Sequence, residues 1–246
     1  MIIELFKERS TLEVFGLFLA INVFIFVSSV VSCWFLGRIF GDNRIFDTWE
    51  PLRRGEQMAA FGAVILNTVV SVVGWMIWEA GYIEIRSGSM GRVFLDCTVM
   101  LMAMDLGMYV FHRVAHTPLI YQLIHGFHHR HESTNPISLF VLHPLEVVGF
   151  GGMMVIFLLV YPMTLIGLCT YLTLNIVFGT LGHSGVEPFP ASLRKVPLLK
   201  YLGTSTFHAE HHEHPSYNFG FYTLIWDKLF GTLDPDYDQR FSQKII

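Results

Sequence analysis

HAEHHEHP, His208 to Pro215, places four imidazoles in eight residues near the end of a chain that is otherwise strongly apolar. HGFHHRHE, His125 to Glu132, carries the same pattern, H-x-x-H-H-x-H, far upstream. A third cluster, His112-x3-His116, precedes both. On a helix, residues three and four apart share a face, so each cluster is expected to aim its imidazoles at one point. At about 100° per residue, His211 and His212 sit within about 60° of His208, whereas His214 lies roughly 240° on. His131 bears the same relation to His125, and both are expected to point away from the shared face.

Local signals favour helices at all three places. The apolar run over 93–111 leads directly into His112. Thr117-Pro118 offers an N-cap followed by proline at the first helical position, which predicts a helix running through His129. Ser and Thr at 204–206 can cap the third helix, and Pro215 ends it.

The surroundings of these clusters are a membrane. The 246 residues are 52% hydrophobic and 15% charged, with a mean hydropathy of +0.49, against about 25% charged in a soluble domain. A net charge of −4 with no basic tail excludes nucleic acid as a partner. Cys33, Cys97 and Cys169 lie within apolar runs, without the spacing of a disulfide framework or a thiolate zinc site, and read as small packing residues. Acidic residues interrupt the N-terminus, and the apolar run after it exceeds the 7–15 residues of a signal-peptide core, which predicts a retained anchor.

A crossing needs roughly 20 mainly apolar residues. Residues 12–36 and 58–80 qualify; 93–111 is shorter and carries Asp96 and Asp105. One helix over 147–182 would be about 54 Å long, well beyond a ~30 Å hydrocarbon core. Two helices folded back near Tyr161-Pro162 fit better. The expected fold is therefore an all-α, polytopic membrane bundle of about four to five apolar segments, with a helical cap holding a histidine-rich dimetal site. Residues 1–92 would form the first segments and their loops, and 93–246 the catalytic region. If the histidine regions face the cytoplasm, the other side holds only Lys7, Arg9, Arg86 and Arg92 of the 16 basic residues, as the positive-inside rule requires. That parity places 112–146 and 183–246, with all 12 histidines, on one side.

Buried imidazole that is neither charged nor ligating faces a desolvation cost without return, and neutral imidazole is a ligand for Zn, Fe, Cu and Ni. Eight histidines are too many for one ion and suit two. Two closed tetrahedral zinc sites would also consume eight nitrogens. A ninth candidate, His183, just after the last apolar segment, exceeds that number and favours metals with open positions. A transporter would set its polar ligands near the bilayer midplane, whereas these clusters fall at or beyond segment ends.

Taken in order, D-x3-Y-x2-HR-x2-H at Asp105 to His116, H-x2-HH at 125–129, HP-x-E at His143 to Glu146, HSG at His183 to Gly185, H-x2-HH at 208–212, N-x-G at Asn218 to Gly220 and WDKLFGT at Trp226 to Thr232 resemble the fatty acid hydroxylase/sterol desaturase superfamily of integral-membrane di-iron enzymes. The resemblance covers about residues 95–235. It implies two iron ions held by His112, His116, His125, His128, His129, His208, His211 and His212, with O2 as co-substrate and a lipid C–H bond as the target; purified protein could carry zinc instead. His183 follows, because relatives place a ligand just after this hairpin. Some relatives carry another histidine four residues from it. Gly179 and Glu187 stand there in this chain, so a tenth imidazole is missing or Glu187 replaces it. His143 would line the access to the site or simply pack.

Asp105, Tyr109, His112 and His116 step by four, three and four along one helical stripe. A carboxylate within a membrane segment is costly and normally functional or paired. Asp105 and Tyr109 are expected to hydrogen-bond metal-bound imidazoles and fix their tautomers; an ion pair of Asp105 with Arg113 is the alternative. The expected activity is O2-dependent hydroxylation of an acyl, sterol or polyprenoid-type lipid, with desaturation, or metal binding without catalysis, as alternatives. With no haem or flavin domain visible, electrons are expected from a separate ferredoxin, cytochrome or reductase. The expected location is integral to a bacterial inner membrane or the endoplasmic reticulum.

Overall fold

Most of the chain is helical in the computed structural model, which describes residues 6, 8–46, 51–130 and 133–243. In chain order the elements are α1 (Thr11–Ile39), α2 (Arg54–Glu79), β1 (Ile85–Arg86), α3 (Met90–Ala115), α4 (Pro118–Leu123), α5 (Pro144–Val160), β2 (Met163–Thr164), α6 (Leu165–Gly182), α7 (Ser205–Glu213), α8 (Ile225–Phe230) and α9 (Tyr237–Gln243). Four of them, α1, α2, α3 and α6, are long and apolar enough to cross a membrane, and α5 is a shorter apolar helix. Residues 147–182 do fold back at Tyr161-Pro162. At 17 residues, α5 is about 26 Å long, slightly less than a hydrocarbon core.

Local chemistry sets the helix starts. The Ser10 hydroxyl accepts from the Glu13 backbone N–H, and the Glu13 carboxylate accepts from the Ser10 N–H, a reciprocal cap on α1. His143 caps α5 in the same way: its Nδ1 accepts from Leu145 N–H at 3.2 Å, and Glu146 Oε2 accepts from His143 N–H at 2.9 Å. Pro144 occupies the first helical position, where its missing N–H costs nothing.

Asp96 ties down the end of the bundle remote from the histidines. Its carboxylate pairs with Arg92 at 2.7 Å and accepts from Tyr161 Oη and Thr164 N–H, which fixes the α5–α6 turn against α3. The same turn carries β2, paired parallel to β1 through Ile85 and Met163. Glycines let α5 approach its neighbours. A Cβ at Gly149 would lie 2.6 Å from the Phe111 ring of α3, and one at Gly151 2.6 Å from Val70 of α2.

At the opposite end, the loop after α1 is bonded to the loop after α6: Ile45 N–H donates to Gly185 O and Glu187 N–H to Asn43 O. Residues 40–46 thus share an end with the histidine regions, as the parity of the segments predicts. A cap closes over this end. Phe207, Leu193, Leu224, Tyr237 and Phe241 form its core, and Arg240 of α9 pairs with Glu210 of α7.

Two expectations about helices change, and one about the cysteines. The helix opened by Thr117-Pro118 stops at Leu123, and His125–Arg130 forms a 3₁₀ turn instead. Gly126 permits the break, since a Cβ there would sit 2.9 Å from Tyr121 O. Thr204 occupies the N-cap of α7 but its hydroxyl bonds Tyr237 Oη rather than capping the helix; the buried Glu187 supplies the acceptor, taking Thr206 N–H at 2.9 Å. Of the three cysteines, Cys33 and Cys97 are buried as packing residues, whereas Cys169 is exposed on α6.

Candidate metal centre

The nine expected histidines converge. His112, His116, His125, His129 and His211 form one group, and His128, His183, His208 and His212 a second, each with its donor atoms within 4.8 Å of one another. His112 comes from the last turn of α3, His116 from its C-cap, His125, His128 and His129 from the 3₁₀ turn, His183 from the C-cap of α6, and the other three from α7. His143 and His214 belong to neither histidine group, and His131 lies outside the described residues.

The two H-x-x-H-H clusters do not each aim at one point. In both, the residues four apart stay together, His125 with His129 and His208 with His212, while the one three apart, His128 or His211, crosses to the other group. On a helix, position i+4 lies about 40° to one side of i and i+3 about 60° to the other. α7 therefore presents donors to both sides of His208; the 3₁₀ turn at 125–129 divides its rings between the two groups in the same way, though not by this α-helical spacing. His112 and His116, also four apart, enter the first group together.

Hydrogen bonds orient the rings. Nδ1 of His112 donates to Phe219 O at 2.9 Å, of His128 to Val141 O at 3.2 Å, of His183 to Gly179 O at 2.9 Å and of His211 to Tyr217 O at 2.6 Å. Nδ1 of His125 donates to Glu146 Oε1 at 2.5 Å. A proton held on Nδ1 leaves the Nε2 lone pair free to ligate. The Nε2 atoms crowd accordingly: His125 lies 3.1 Å from His112 and from His129, His129 3.1 Å from His211, and His208 3.1 Å from His183 and 3.2 Å from His212.

These residues fit metal ions. For metal–nitrogen bonds of about 2.1 Å, neighbouring donors stand about 3.0 Å apart at right angles and about 3.4 Å apart in a tetrahedron. The observed spacings fall between. Burial, reinforced by neighbouring imidazoles, pushes His116 down to about 2 and His183 down to about 3, and burial takes His125 down to about 4. The same causes hold His129, His208 and His211 well below the usual histidine range. His116 Nε2 and His129 Nδ1 are buried with no hydrogen-bond partner among the described residues. Neutral, desolvated nitrogens without protein partners are what a cation would satisfy.

Asp105 and Tyr109 stand elsewhere than expected. Asp105 accepts from Tyr222 N–H at 2.8 Å, from Thr223 N–H at 3.3 Å and from the Thr223 hydroxyl at 2.5 Å. Among the described residues it neither bonds an imidazole nor pairs with Arg113, which donates to Tyr109 Oη. Tyr109 also bonds Thr232 and stacks on Phe230. Both side chains clamp α3 to the 218–232 loop rather than orienting imidazoles. The carboxylate that does orient one is Glu146, present in the HP-x-E motif but bonded to His125 through contacts far apart in sequence. Glu187 does not replace a tenth imidazole, since its oxygens accept from Phe189 N–H and Thr206 N–H.

A cavity of about 180 Å³ opens against the centre from between α2, α3, α5 and α6, with His112, His125, His128, His183 and His208 at one end and Met108, Phe140, Val147, Phe150 and Ile176 among its apolar walls. A second cavity, of about 340 Å³, adjoins it by sharing Ala63 and Leu142, and His143 lines that one.

The family model described as fatty acid hydroxylase matches residues 97–232, a stretch holding all nine histidines. Among curated proteins, the chain is 23% identical over 233 residues to a Delta(7)-sterol 5(6)-desaturase of Eremothecium gossypii, covering 91% of this chain and 64% of the relative. It is 26% identical over 141 residues to the protein of that name in Leptosphaeria maculans, covering 57% and 37%. It is 28% identical over 190 residues to a cholesterol 25-hydroxylase-like protein of Danio rerio, covering 76% and 74%. The chain thus spans less than two thirds of the length of either desaturase. No solved structure matches it.

Proposed function

The chain belongs to the fatty acid hydroxylase family, and from that membership we propose that it oxidises a C–H bond of a membrane lipid with O2, using two iron ions held by the nine histidines. The observation that carries this reading is the meeting of two histidine groups with an apolar cavity that lies among membrane helices. The iron pair supplies the redox chemistry, activating O2 with two external electrons. Hydroxylation turns R–H, O2, two electrons and two protons into R–OH and water. Desaturation spends the same O2, electrons and protons but takes two hydrogens from the lipid and releases two waters. The names of the relatives, a sterol desaturase and a cholesterol hydroxylase-like protein, support both outcomes on one scaffold. Hydroxylation is the reading adopted, and a separate ferredoxin, cytochrome or reductase delivers the electrons.

The protein's own part is positional. Glu146 and four backbone carbonyls hold protons on Nδ1 and keep five rings aimed. The apolar walls exclude water from the attacked carbon. Five imidazoles in the first group exceed the four positions of a closed zinc site, which favours a reactive centre over a purely structural one. The histidine end faces the cytoplasm, a reading supported by Arg38, Arg44, Arg53 and Arg54 on the segment that shares it.

Metal analysis with O2 uptake by the iron-loaded protein, followed by mass spectrometry of the lipids, tests the proposal. The expected product gains one oxygen; a product lighter by two hydrogens would establish desaturation instead. His128→Ala and His211→Ala, one from each group, are expected to abolish turnover, and survival of activity in both would refute the assignment. Zinc in the purified protein would not decide the matter, since imidazole sites accept it readily.

A further inference from the structure

Two amides interrupt the apolar walls of the cavity, Asn67 of α2 and Asn175 of α6. A lone asparagine within a membrane helix is costly unless its amide finds partners. The Asn67 side chain has no hydrogen bond among the described residues, and Asn175 has one. Tyr222 Oη donates to Asn175 Oδ1 at 2.6 Å. Because that uses the only proton Tyr222 has, its 3.1 Å contact with Tyr171 Oη is a bond donated by Tyr171. The buried Asp105 holds the Tyr222 backbone N–H at 2.8 Å. Asp105, Tyr222 and Tyr171 therefore fix the carbonyl of Asn175 and leave its NH2 as the free donor at the cavity wall.

We propose that Asn67 and Asn175 take the hydroxyl group of a neutral lipid alcohol and so set which carbon meets the centre. The inference rests on the cavity being the substrate's. An alcohol offers one donor and two acceptor positions, which match the free NH2 of Asn175 and the whole amide of Asn67. No Lys or Arg lines the cavity, and its one carboxylate, Glu146, is bonded to His125 and His143 N–H. A free fatty acid with its head at the amides would hold a carboxylate among apolar walls with no Lys or Arg beside it and the histidine centre about 12 Å away, at a large desolvation cost. An unfunctionalised hydrocarbon would leave both amides unpaired. Asn175 lies eight residues before His183, about 12 Å along the helix, so the attacked carbon is remote from the oxygen. Asn67 and Asn175 are positioning residues, and Asp105 acts through Tyr222 on the second.

Direct binding to the iron-loaded, full-length protein in nanodiscs tests this, using 1-octadecanol, octadecane and stearate as one set and cholesterol against cholestane as a second. The alcohol of each set is expected to bind at least about tenfold more tightly than its partners, roughly the worth of one or two hydrogen bonds. Asn67→Leu and Asn175→Leu should each lower alcohol affinity by about five- to tenfold, leave the hydrocarbons unchanged or tighter, and keep iron content intact. Tyr222→Phe should weaken the alcohol preference by a smaller factor, because Asn175 then loses its fixed orientation. Product analysis should show oxidation scattered along the chain in the Asn175→Leu protein. If Asn175→Leu does not fold, Asn67→Leu carries the test. Equal binding of alcohol, hydrocarbon and acid by the wild-type protein, or equal losses for all probes in the variants, would overturn the proposal. Unselective oxidation of hydrocarbons would do the same while leaving lipid oxidation standing. Selective alcohol binding without oxidation of any probe would count against the oxidase and not against the amides.

Discussion

Glu146 meets two demands with its two oxygens. Oε2 closes the cap of α5 on His143 N–H, while Oε1 receives the Nδ1 proton of His125. Replacing it by leucine removes the acceptor that keeps His125 in its ligating tautomer, and loss of such a partner typically costs 10–100-fold in metal affinity. Glu146→Leu is accordingly expected to weaken iron retention by about that range in competition with a chelator, and Glu146→Gln, which keeps an acceptor, by less. The histidines also set a pH limit. His116, His125 and His183, held at about 2, 4 and 3 in the folded protein, remain neutral where an unfolded chain takes up protons below its ordinary value of 6.5. The unfolded state then binds more protons, so stability falls as pH drops from about 6.5 towards 4. The thermal midpoint of metal-free protein should decline across that interval and be level above it; a flat profile would contradict the burial of these rings. Residue roles were the least legible part of the sequence. The importance of Asp105 follows from a charge in a membrane helix, but its partners, Tyr222 and Thr223, lie far along the chain and no local spacing points to them. Asn67 and Asn175 belong to no motif and stand out only once a cavity surrounds them.

Elements were easier to read than their ends. Hydropathy alone locates the apolar helices and the hairpin at Pro162, because length against bilayer thickness leaves few choices. It misses the stop of α4 at Leu123, since Thr117-Pro118 announces a beginning and nothing but Gly126 announces the break. Helix faces for the histidine clusters are right in bringing the rings together and wrong in aiming each cluster at one point: in α7, i+3 and i+4 fall on opposite sides of i, and the cluster at 125–129 is a 3₁₀ turn with different spacing. The packing of α5 offers a test at this scale. Gly149→Leu drives a side chain into Phe111, and overpacking of this kind costs about 1–3 kcal/mol. Gly152, with no atom within 4 Å of a Cβ placed there, is the control. Thermal unfolding in detergent should show a lower midpoint for Gly149→Leu and little change for Gly152→Leu; equal behaviour would mean that α5 does not seat against α3 as described.

At the scale of the whole molecule, the centre belongs to no single segment. α3, the 3₁₀ turn, the end of α6 and α7 each contribute rings, α5 orients one of them, and α2 walls the cavity through Ala63 and Asn67. The second helix, among the least informative parts of the sequence, thus helps to wall the cavity. The cap matters for the same reason, since Arg240 of α9 braces α7 through Glu210.

The alternation along the backbone has a consequence for assembly. His128 and His129 are covalent neighbours that fall in different histidine groups, and so are His211 and His212. Filling either position freezes the two peptide units that aim donors at the other, so the ordering entropy of the second event is spent during the first. Titration of the apo-protein with Fe(II), followed by native mass spectrometry, should reveal mainly empty and doubly occupied molecules with few singly occupied ones. Likewise, a chelator strong enough to strip one ion should release the pair, and a single alanine in either histidine group should deplete both positions together.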